Sequence, residues 1–213
     1  MGYFTLKNEA KAEFEEKKSI FIGHALRVYN EDEARGFINR IKAEHKEARH
    51  NVYAYVLGEN LGIQRYSDDG EPQGTGGLPV LDVIKKNGIT DAVLVVTRYF
   101  GGVLLGKGGL VRAYSRAAAM AVKEAEIVER AMAAPLKITL DYDSLGKLQY
   151  LFEQSGWFIE ETIYTNKVEI TMFCELPQIE PVTEKINDVL NGRCVISEGD
   201  SDYYFKGEGR LSK

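Results

Sequence analysis

The sequence has few cysteines, no long apolar run and no general excess of positive charge. Cys174 and Cys194 are too few for a disulfide framework and lack metal-site spacing, so we expect two free, buried thiols. No apolar run approaches the roughly 20 residues needed to span a bilayer. The charged start of the chain also lacks the apolar centre of a secretory signal. We therefore expect a cytoplasmic protein with no membrane partner.

The negative charge is concentrated in the last third of the chain. Residues 1–134 carry 19 Lys and Arg against 18 Asp and Glu, so residues 135–213 carry the remaining 8 against 14. The net charge of −5 is therefore +1 in the first part and −6 in the second. General nucleic-acid binders are usually basic, because their affinity comes largely from neutralised phosphates. Any nucleic-acid contact must therefore rest on a local basic patch.

Hydrophobic periodicity predicts an α+β fold for the first part of the chain. At residues 31–48 apolar side chains recur at helical spacing behind Asn30, a residue suited to cap a helix. The apolar run at 93–96 indicates a strand buried on both faces, and the alanines at 113–121 indicate a helix packed closely on a sheet. The predicted elements are two strands in 12–28, a helix at 31–48, strands at 51–57 and 89–100, a helix at about 110–124 and a short strand at 126–133.

The second part has a simpler pattern, and it begins after a predicted boundary at Ala134–Pro135. Its predicted elements are strands at 136–142, 157–164, 167–175 and 194–205, with helices at 144–155 and 177–190. This βαββαβ order is typical of the ferredoxin-like fold. We therefore predict two domains, residues 1–134 and 135–213, with residues 207–213 frayed.

Nine of the 21 glycines fall in two clusters, at 70–77 and at 101–109. The second cluster follows a buried strand and opens a helix, so free amide groups and the positive end of the helix dipole meet near Lys107. This arrangement predicts a phosphate or nucleic-acid backbone site. The alternative is a loop that needs glycine only to turn. A nucleotide-binding P-loop is excluded, because Gly108 stands where a magnesium-binding hydroxyl is required.

The stretch 85–116 is the only concentration of positive charge in the chain, with six basic residues and one acid. Within it, Arg98, Tyr99 and Phe100 form a cation and two aromatics that could grip phosphate and stack bases, or simply end a core strand. The candidate phosphate- and nucleic-acid-binding residues are Arg98, Tyr99, Phe100, Gly106, Lys107, Gly108, Arg112 and Arg116.

Three carboxylates lie within four residues at Asp68, Asp69 and Glu71. They could hold a divalent cation, but the spacing is not that of an EF-hand. The favoured alternatives are an Asp-Gly turn in which the carboxylates cap backbone amides, or a salt bridge to Arg98. We predict no metal and no cofactor. His50, with Asp68 or Asp69, is the candidate acid–base group if the protein is an enzyme, and otherwise a histidine that hydrogen-bonds across the sheet.

Four blocks of the sequence resemble the IMPACT (YigZ-like) family. They are HNVYAY at 50–55, SDDGEPQGT at 67–75, VTRYFGG at 96–102 and LGKGGLVRAY at 105–114. Four blocks in order over 65 residues are a specific signal. The family often has Cys at Val52 and Ala at Gly76, so this chain departs from the pattern there by conservative changes.

The resemblance implies a fold and a biological setting. The implied fold is an N-terminal α/β sandwich domain like those of a ribosomal protein and elongation factor G, followed by a ferredoxin-like domain. Eukaryotic members regulate translation by restraining the kinase that senses amino-acid starvation, through an extra N-terminal domain. We expect that domain to be absent here, so the kinase mechanism is not carried over.

The leading hypothesis is a non-enzymatic, translation-associated regulator that binds RNA or the ribosome through the glycine-rich basic face. The acidic second domain would then orient the first or bind a basic ribosomal protein. The alternative is an enzyme or binding protein for a small phosphorylated ligand at the same loop. A third hypothesis is a regulator with a protein partner, in which the glycines serve only the fold.

Overall fold

The computed structural model describes residues 2–207 and 210–213, and its backbone contacts divide the chain into two compact units. One is Tyr3–Val128, and the other is Glu129–Lys213 together with Gly2. Each unit combines strands and helices, so the predicted α+β class is confirmed. The placement of a domain boundary at 134 and 135 stays a prediction.

The first unit is built on an antiparallel five-stranded sheet. Its strand order is β2-β3-β6-β4-β5, and every neighbouring pair is antiparallel. Strand β6 therefore lies at the centre, and all but its last residue are buried. The elements are β1 Tyr3–Leu6, β2 Ala10–Glu16, β3 Ser19–Arg27, α1 Glu31–Glu44, β4 His50–Leu57, β5 Ile63–Ser67, α2 Gly77–Lys86, β6 Ala92–Tyr99 and α3 Gly106–Ala125.

Helices cover both faces of this sheet. Helix α1 packs on one face, and Asn30 caps it as predicted, its side chain accepting a hydrogen bond from the Glu33 N–H. Helices α2 and α3 pack on the other face, where α3 turns its alanines to the sheet. Small side chains let the backbones approach closely: a Cβ at Gly23 of β3 would collide with the backbone carbonyl of Ala117 in α3.

Exchanging two glycines for alanine should separate a packing role from an exposed one. Gly23→Ala should lower the free energy of unfolding by about 1–3 kcal/mol, because the added methyl meets rigid backbone. Gly36→Ala is the control: this glycine is exposed within α1 and has open space around it, so the free energy of unfolding should rise by about 0.5–1 kcal/mol. Urea denaturation followed by circular dichroism measures both. Equal effects of the two changes would contradict this account of α3 packing.

The second unit contains two helices and a further sheet, in which the pairings among β7 to β12 are antiparallel. Its strands run in the order β12-β11-β7-β9-β8, and β10 also pairs with β7. Helices α4 and α5 contribute to one apolar core with β7 and β9. The elements are β7 Ile127–Leu140, α4 Leu145–Ser155, β8 Glu161–Tyr164, β9 Val168–Glu175, α5 Ile179–Leu190, β10 Cys194–Glu198, β11 Asp202–Gly207 and β12 Arg210–Ser212.

Strand β7 runs through Pro135 as one strand, where the sequence predicts separate strands at 126–133 and 136–142. Proline lacks an N–H, which normally interrupts a ladder. On one side of β7, however, residues 129–133 pair with β11 and residues 136–140 pair with β10. Pro135 lies between these two partners, and its carbonyl accepts a hydrogen bond from the Gly199 N–H. The proline therefore sits where the ladder is already interrupted.

Several other boundaries differ from the prediction. The predicted strand at 194–205 is two strands, β10 and β11, which follow one another along the same side of β7 and are separated by residues 199–201 opposite Pro135. The terminus predicted to fray contains β12, paired with β11, while residues 208 and 209 of that segment lie outside the described residues. Helix α2 and strand β5 had no sequence prediction. Helix α1 ends at Glu44, four residues early.

Both cysteines are free thiols, as predicted, with Cys174 buried and Cys194 half-buried. Burial raises the pKa of Cys174 to about 11. Across residues 2–207 and 210–213, no helix is both long and apolar enough to cross a membrane.

Candidate functional site

A buried ion pair lies where β6 ends against the first glycine cluster. The Arg98 guanidinium Nη1 donates to Glu71 Oε1 over 2.7 Å, and the two side chains are 6% and 3% exposed. The Tyr114 hydroxyl from α3 donates to the same oxygen, also over 2.7 Å. Burial, followed by the charge of Glu71, raises the pKa of Tyr114, which keeps this hydroxyl protonated. One of the alternatives for the acidic cluster, a salt bridge to Arg98, is therefore formed by Glu71.

Asp68 organises the first glycine cluster by capping backbone amides. Its carboxylate accepts hydrogen bonds from the N–H groups of Gly74, Gly76 and Gly77 over 2.8–2.9 Å. Burial opposes ionisation of Asp68, but the three backbone N–H groups outweigh it and hold the pKa of this carboxyl below its usual value. The turn-capping interpretation of Asp68 is therefore confirmed.

Asp69 is also engaged by protein groups. Its carboxylate accepts hydrogen bonds from the Asn51 N–H at 2.6 Å and from the Lys42 ammonium at 2.7 Å. Among the residues that the structure describes, no three or more His, Cys, Asp or Glu side chains come together as a metal site. Both aspartates thus shape the backbone around His50.

His50 has one ring nitrogen fixed and one directed toward Glu71. Its Nδ1 lies 2.8 Å from the Asp69 carbonyl oxygen, which can only accept, so Nδ1 carries the proton in the neutral ring. Nε2 then has a lone pair, and it lies 3.9 Å from Glu71 Oε1. Gly70, at φ +88°, passes against the ring, and a Cβ there would lie 3.3 Å from Nδ1. The glycine therefore makes room for the histidine.

A cavity of about 410 Å³, which we call the Glu71 cavity, opens beside the ion pair. One end is polar, with His50, Glu71 and Arg98. Another wall is apolar, and its Leu104 is 82% exposed. Arg49 and Lys107 supply positive charge. The full lining is Arg49, His50, Gly70, Glu71, Pro72, Arg98, Phe100, Leu104, Leu105, Gly106, Lys107 and Leu110.

Helix α3 begins at this cavity. Its first residue is Gly106, and no side chain of the described residues caps its N-terminus. The first amide groups of a helix lack partners within the helix and carry the positive end of its dipole. Gly106, Lys107 and Gly108 are exposed. The geometry thus provides uncapped donors and an ammonium group side by side.

The remaining predicted residues lie in two other places. Arg112 and Arg116 line a second cavity, of about 240 Å³, which shares Leu105 with the first. The Arg116 guanidinium lies 4.3 Å from the centre of the Phe14 ring. Tyr99 turns toward α1 instead, where its hydroxyl lies 2.9 Å from His45 Nδ1. The Glu71 cavity therefore brings together five of the predicted residues: His50, Arg98, Phe100, Gly106 and Lys107. Gly108, Arg112 and Arg116 lie farther along α3, and Tyr99 faces α1.

Sequence reasoning did not single out Glu71, Tyr114, Arg49 or Leu104. Glu71 was visible within the acidic cluster, but nothing in the sequence distinguishes it from Asp68 and Asp69. Tyr114 lies at helical spacing with the alanines of α3, so its position in the sequence indicates a packed face and not a polar contact. The apolar run Val103-Leu104-Leu105 between Gly102 and Gly106 was a usable signal, because exposed apolar residues in a glycine-rich loop favour contact with a ligand.

Comparison with sequence families divides the chain in a similar way. The family model described as the Impact N-terminal domain matches residues 17–122, which include the Glu71 cavity. A second model, described as a domain of unknown function (DUF1949), matches residues 138–193.

Curated bacterial relatives match over most of their length. The chain is 39% identical over 212 residues to IMPACT family member YvyE of Bacillus subtilis, covering 100% of this chain and 98% of that protein. It is 31% identical to IMPACT family member YigZ of Escherichia coli, over 83% of this chain and 87% of that one. Eukaryotic proteins named IMPACT or IMPACT homolog match over 43% of the chain at 31–39% identity. A solved structure titled as a hypothetical protein superposes with a TM-score of 0.61 and 28% identity, covering 92% of this chain and 96% of that one.

Proposed function

The chain belongs to the IMPACT family, and on that basis we propose that it is a translation-associated protein that binds RNA, free or within the ribosome. The resemblance implies translation as the setting, because eukaryotic members regulate translation. The proposed binding surface is the N-terminal end of α3 and the mouth of the Glu71 cavity.

One observation carries this proposal: the uncapped N-terminus of α3 lies beside Lys107 and an exposed aromatic ring. Unpaired helix amides and an ammonium group are suited to a phosphate group. Phe100 is 40% exposed, and the Arg49 guanidinium lies 5.8 Å from its ring centre. A stacking surface next to cations is the arrangement by which proteins hold single-stranded nucleic acids. Arg112 and Arg116 extend the positive charge along the helix.

In this proposal Arg98 has a structural role and not the phosphate-binding role that the sequence predicts for it. Its guanidinium is buried against Glu71, so it positions the end of the cavity and leaves phosphate contact to Lys107, Arg49 and the helix amides. The electrostatic contribution of a paired, buried arginine to an outside phosphate is small, since Glu71 cancels its charge.

The fold itself supports the setting in translation. We propose that the first unit has the α/β sandwich fold that a ribosomal protein and elongation factor G share, and that the second is a ferredoxin-like domain. The observed order β7, α4, β8, β9, α5, β10 supports the second assignment. A boundary near 134 and 135 would place the family's two domains on either side of it.

Exchanging one lysine at each end of α3 tests the proposed surface. Lys107→Ala should weaken binding to single-stranded RNA and reduce the slope of log K against log salt by about 0.7, because one phosphate contact is lost. Lys123→Ala removes the same charge from the last turn of the helix, about 24 Å away along the axis, and should leave binding unchanged.

The measurement is fluorescence anisotropy over a salt series, followed by co-sedimentation with ribosomes. Equal weakening by Lys107→Ala and Lys123→Ala would show that only net charge matters and would contradict the assigned surface. Absence of association with RNA and ribosomes at low salt would overturn the proposal.

A second candidate is a protein that binds a small phosphorylated ligand. The cavity volume of about 410 Å³ favours it, since small-ligand sites have volumes of about 300–1,000 Å³. Of the three acid–base candidates, the carboxylates of Asp68 and Asp69 are occupied by amides and Lys42, so His50 alone faces the cavity. A saturable rise in melting temperature with a phosphorylated metabolite, and none with RNA, would favour this function.

A further inference from the structure

The polar end of the Glu71 cavity presents hydrogen-bond acceptors. Glu71 Oε1 accepts from Arg98 and Tyr114. Its second oxygen, Oε2, has no hydrogen-bond partner among the described residues, although the side chain is 97% buried. Oε2 is not one of the fully buried atoms without a partner, so it is open to the cavity and can accept from a donor outside the protein.

His50 places a second acceptor beside the first. Nδ1 donates to the Asp69 carbonyl, so Nε2 presents a lone pair toward Glu71 whenever the ring is neutral. Nε2 and Glu71 Oε1 are 3.9 Å apart. This end of the cavity is therefore complementary to a ligand group with two neighbouring hydrogen-bond donors. The Glu71 carboxylate would repel an anion at the same position.

The rest of the cavity is complementary to other ligand groups, an anion and an apolar ring. Lys107, Arg49 and the uncapped α3 amides are suited to an anion at the mouth. Phe100 and Leu104 offer an apolar wall suited to a flat ring. A matching ligand therefore combines an anionic group, a planar body and an edge with two adjacent donors.

Among the RNA bases, guanine meets these requirements. Its N1–H and exocyclic N2–H₂ are adjacent donors on one edge. Adenine and cytosine present an amino donor beside an acceptor nitrogen, and uracil presents one N–H between two carbonyl acceptors. Two fixed acceptors therefore pair fully with guanine, whereas the other bases would leave an acceptor opposite an acceptor.

We propose that the Glu71 cavity binds a guanosine 5′-phosphate unit and selects its base, the source being an unpaired guanine of RNA. Glu71 Oε2 and His50 Nε2 accept from the guanine edge, Phe100 and Leu104 contact the ring, and Lys107 with the α3 amides holds the phosphate. This inference rests on the proposed RNA-binding function and adds the base that the site selects.

The test uses ten-nucleotide oligouridine strands that differ at one central position, measured by fluorescence anisotropy at constant salt with the full chain. A central guanosine should bind about tenfold more tightly than a central adenosine, and inosine, which lacks the N2 amino group, should fall between them. A central 2′-deoxyguanosine should bind as guanosine does. A loss that follows the 2′-hydroxyl would overturn the assignment to the base.

Two variants locate the selection. His50→Ala removes one acceptor without breaking the Glu71–Arg98 pair, and it should bring guanosine and adenosine strands to nearly equal affinity. Lys107→Ala should weaken both strands by the same factor and leave their ratio unchanged. Unaltered discrimination in a folded His50→Ala protein would overturn the inference. Because the substitutions in the strands need no change to the protein, the inference remains testable if a variant fails to fold.

The possible outcomes distinguish failure of guanine selection from failure of the proposed RNA-binding function. Equal binding of all strands, still dependent on Lys107, overturns guanine selection and leaves RNA binding intact. Absence of binding by every strand overturns the RNA-binding proposal. Guanosine 5′-monophosphate should displace the guanosine strand, and adenosine 5′-monophosphate should not. Binding of the free guanine nucleotide without any RNA would support the selection and identify a free nucleotide as the source.

Discussion

Glu71→Ala should lower the free energy of unfolding of the first unit by about 3–5 kcal/mol. The change removes the acceptor for both Arg98 and Tyr114 and leaves a guanidinium that is 94% buried without its counter-ion. Glu71 is the one carboxylate that pairs with Arg98 among the described residues, and Arg98 Nε has no hydrogen-bond partner. Since a typical domain is stable by about 5–15 kcal/mol, this loss is a large part of the total.

A double variant separates the burial of charge from the loss of packing. Glu71→Leu together with Arg98→Met places apolar side chains of similar volume in the site and should recover most of the lost stability. Urea denaturation gives the overall change, and amide hydrogen exchange in peptides of β6 shows whether it originates beside the ion pair. A Glu71→Ala protein within about 1 kcal/mol of the parent would show that the pair contributes little.

Acidification should destabilise the first unit between pH 6.5 and pH 4, by up to about 3 kcal/mol from His24 alone. His24 is 5% exposed, and its Nε2 has no hydrogen-bond partner. Burial, followed by the charges of His45, Lys11 and Arg40, lowers the pKa of His24 to about 4 from its usual 6.5. In this pH range the unfolded chain binds a proton that the folded chain does not, so stability falls as pH falls. Above pH 6.5 this residue has no effect.

His24→Leu isolates that contribution. The variant should match the parent within about 1 kcal/mol at pH 7.5, because it loses no hydrogen bond at Nε2. At pH 4.5 it should exceed the parent by about 2 kcal/mol, because it has no ring to protonate. Urea titrations at several pH values provide the comparison. Parallel stability curves for the two proteins would mean that carboxylates such as Asp68, and not His24, govern acid sensitivity.

The regular elements followed from local chemistry that the sequence displays. Asn30 and the acids behind it mark the start of α1, and the alanine stripe of α3 indicates a helix against a sheet. The uninterrupted run before Thr97 indicates a central strand, which β6 is. Helix α2 escaped prediction because its first turn is stabilised from a distance: Asp68 caps the Gly76 and Gly77 amides from several residues upstream.

The sequence indicated where the candidate site would lie, but not which side chains would pair with one another there. The second glycine cluster marked the N-terminus of α3, which begins at Gly106. Glycines there leave the first backbone amides of the helix open to close approach by another group. The partner of Arg98 depends on which residues face each other across β6 and α3, and Glu71 and Tyr114 are distant from it in the sequence. Strand register also decides that Tyr99 turns toward α1 while its neighbour Arg98 turns to the other face.

The central position of β6 also sets an order for folding. The hairpins β2–β3 and β4–β5 are local, but each is joined to the sheet only through β6, whose Tyr99 pairs with Ile20. During synthesis the two hairpins therefore cannot join into one sheet until β6 has also left the ribosome, which requires about a hundred residues. Closing such distant pairings is slow. The Glu71 cavity, which also needs Tyr114, can form only on a nascent chain that is already longer than this.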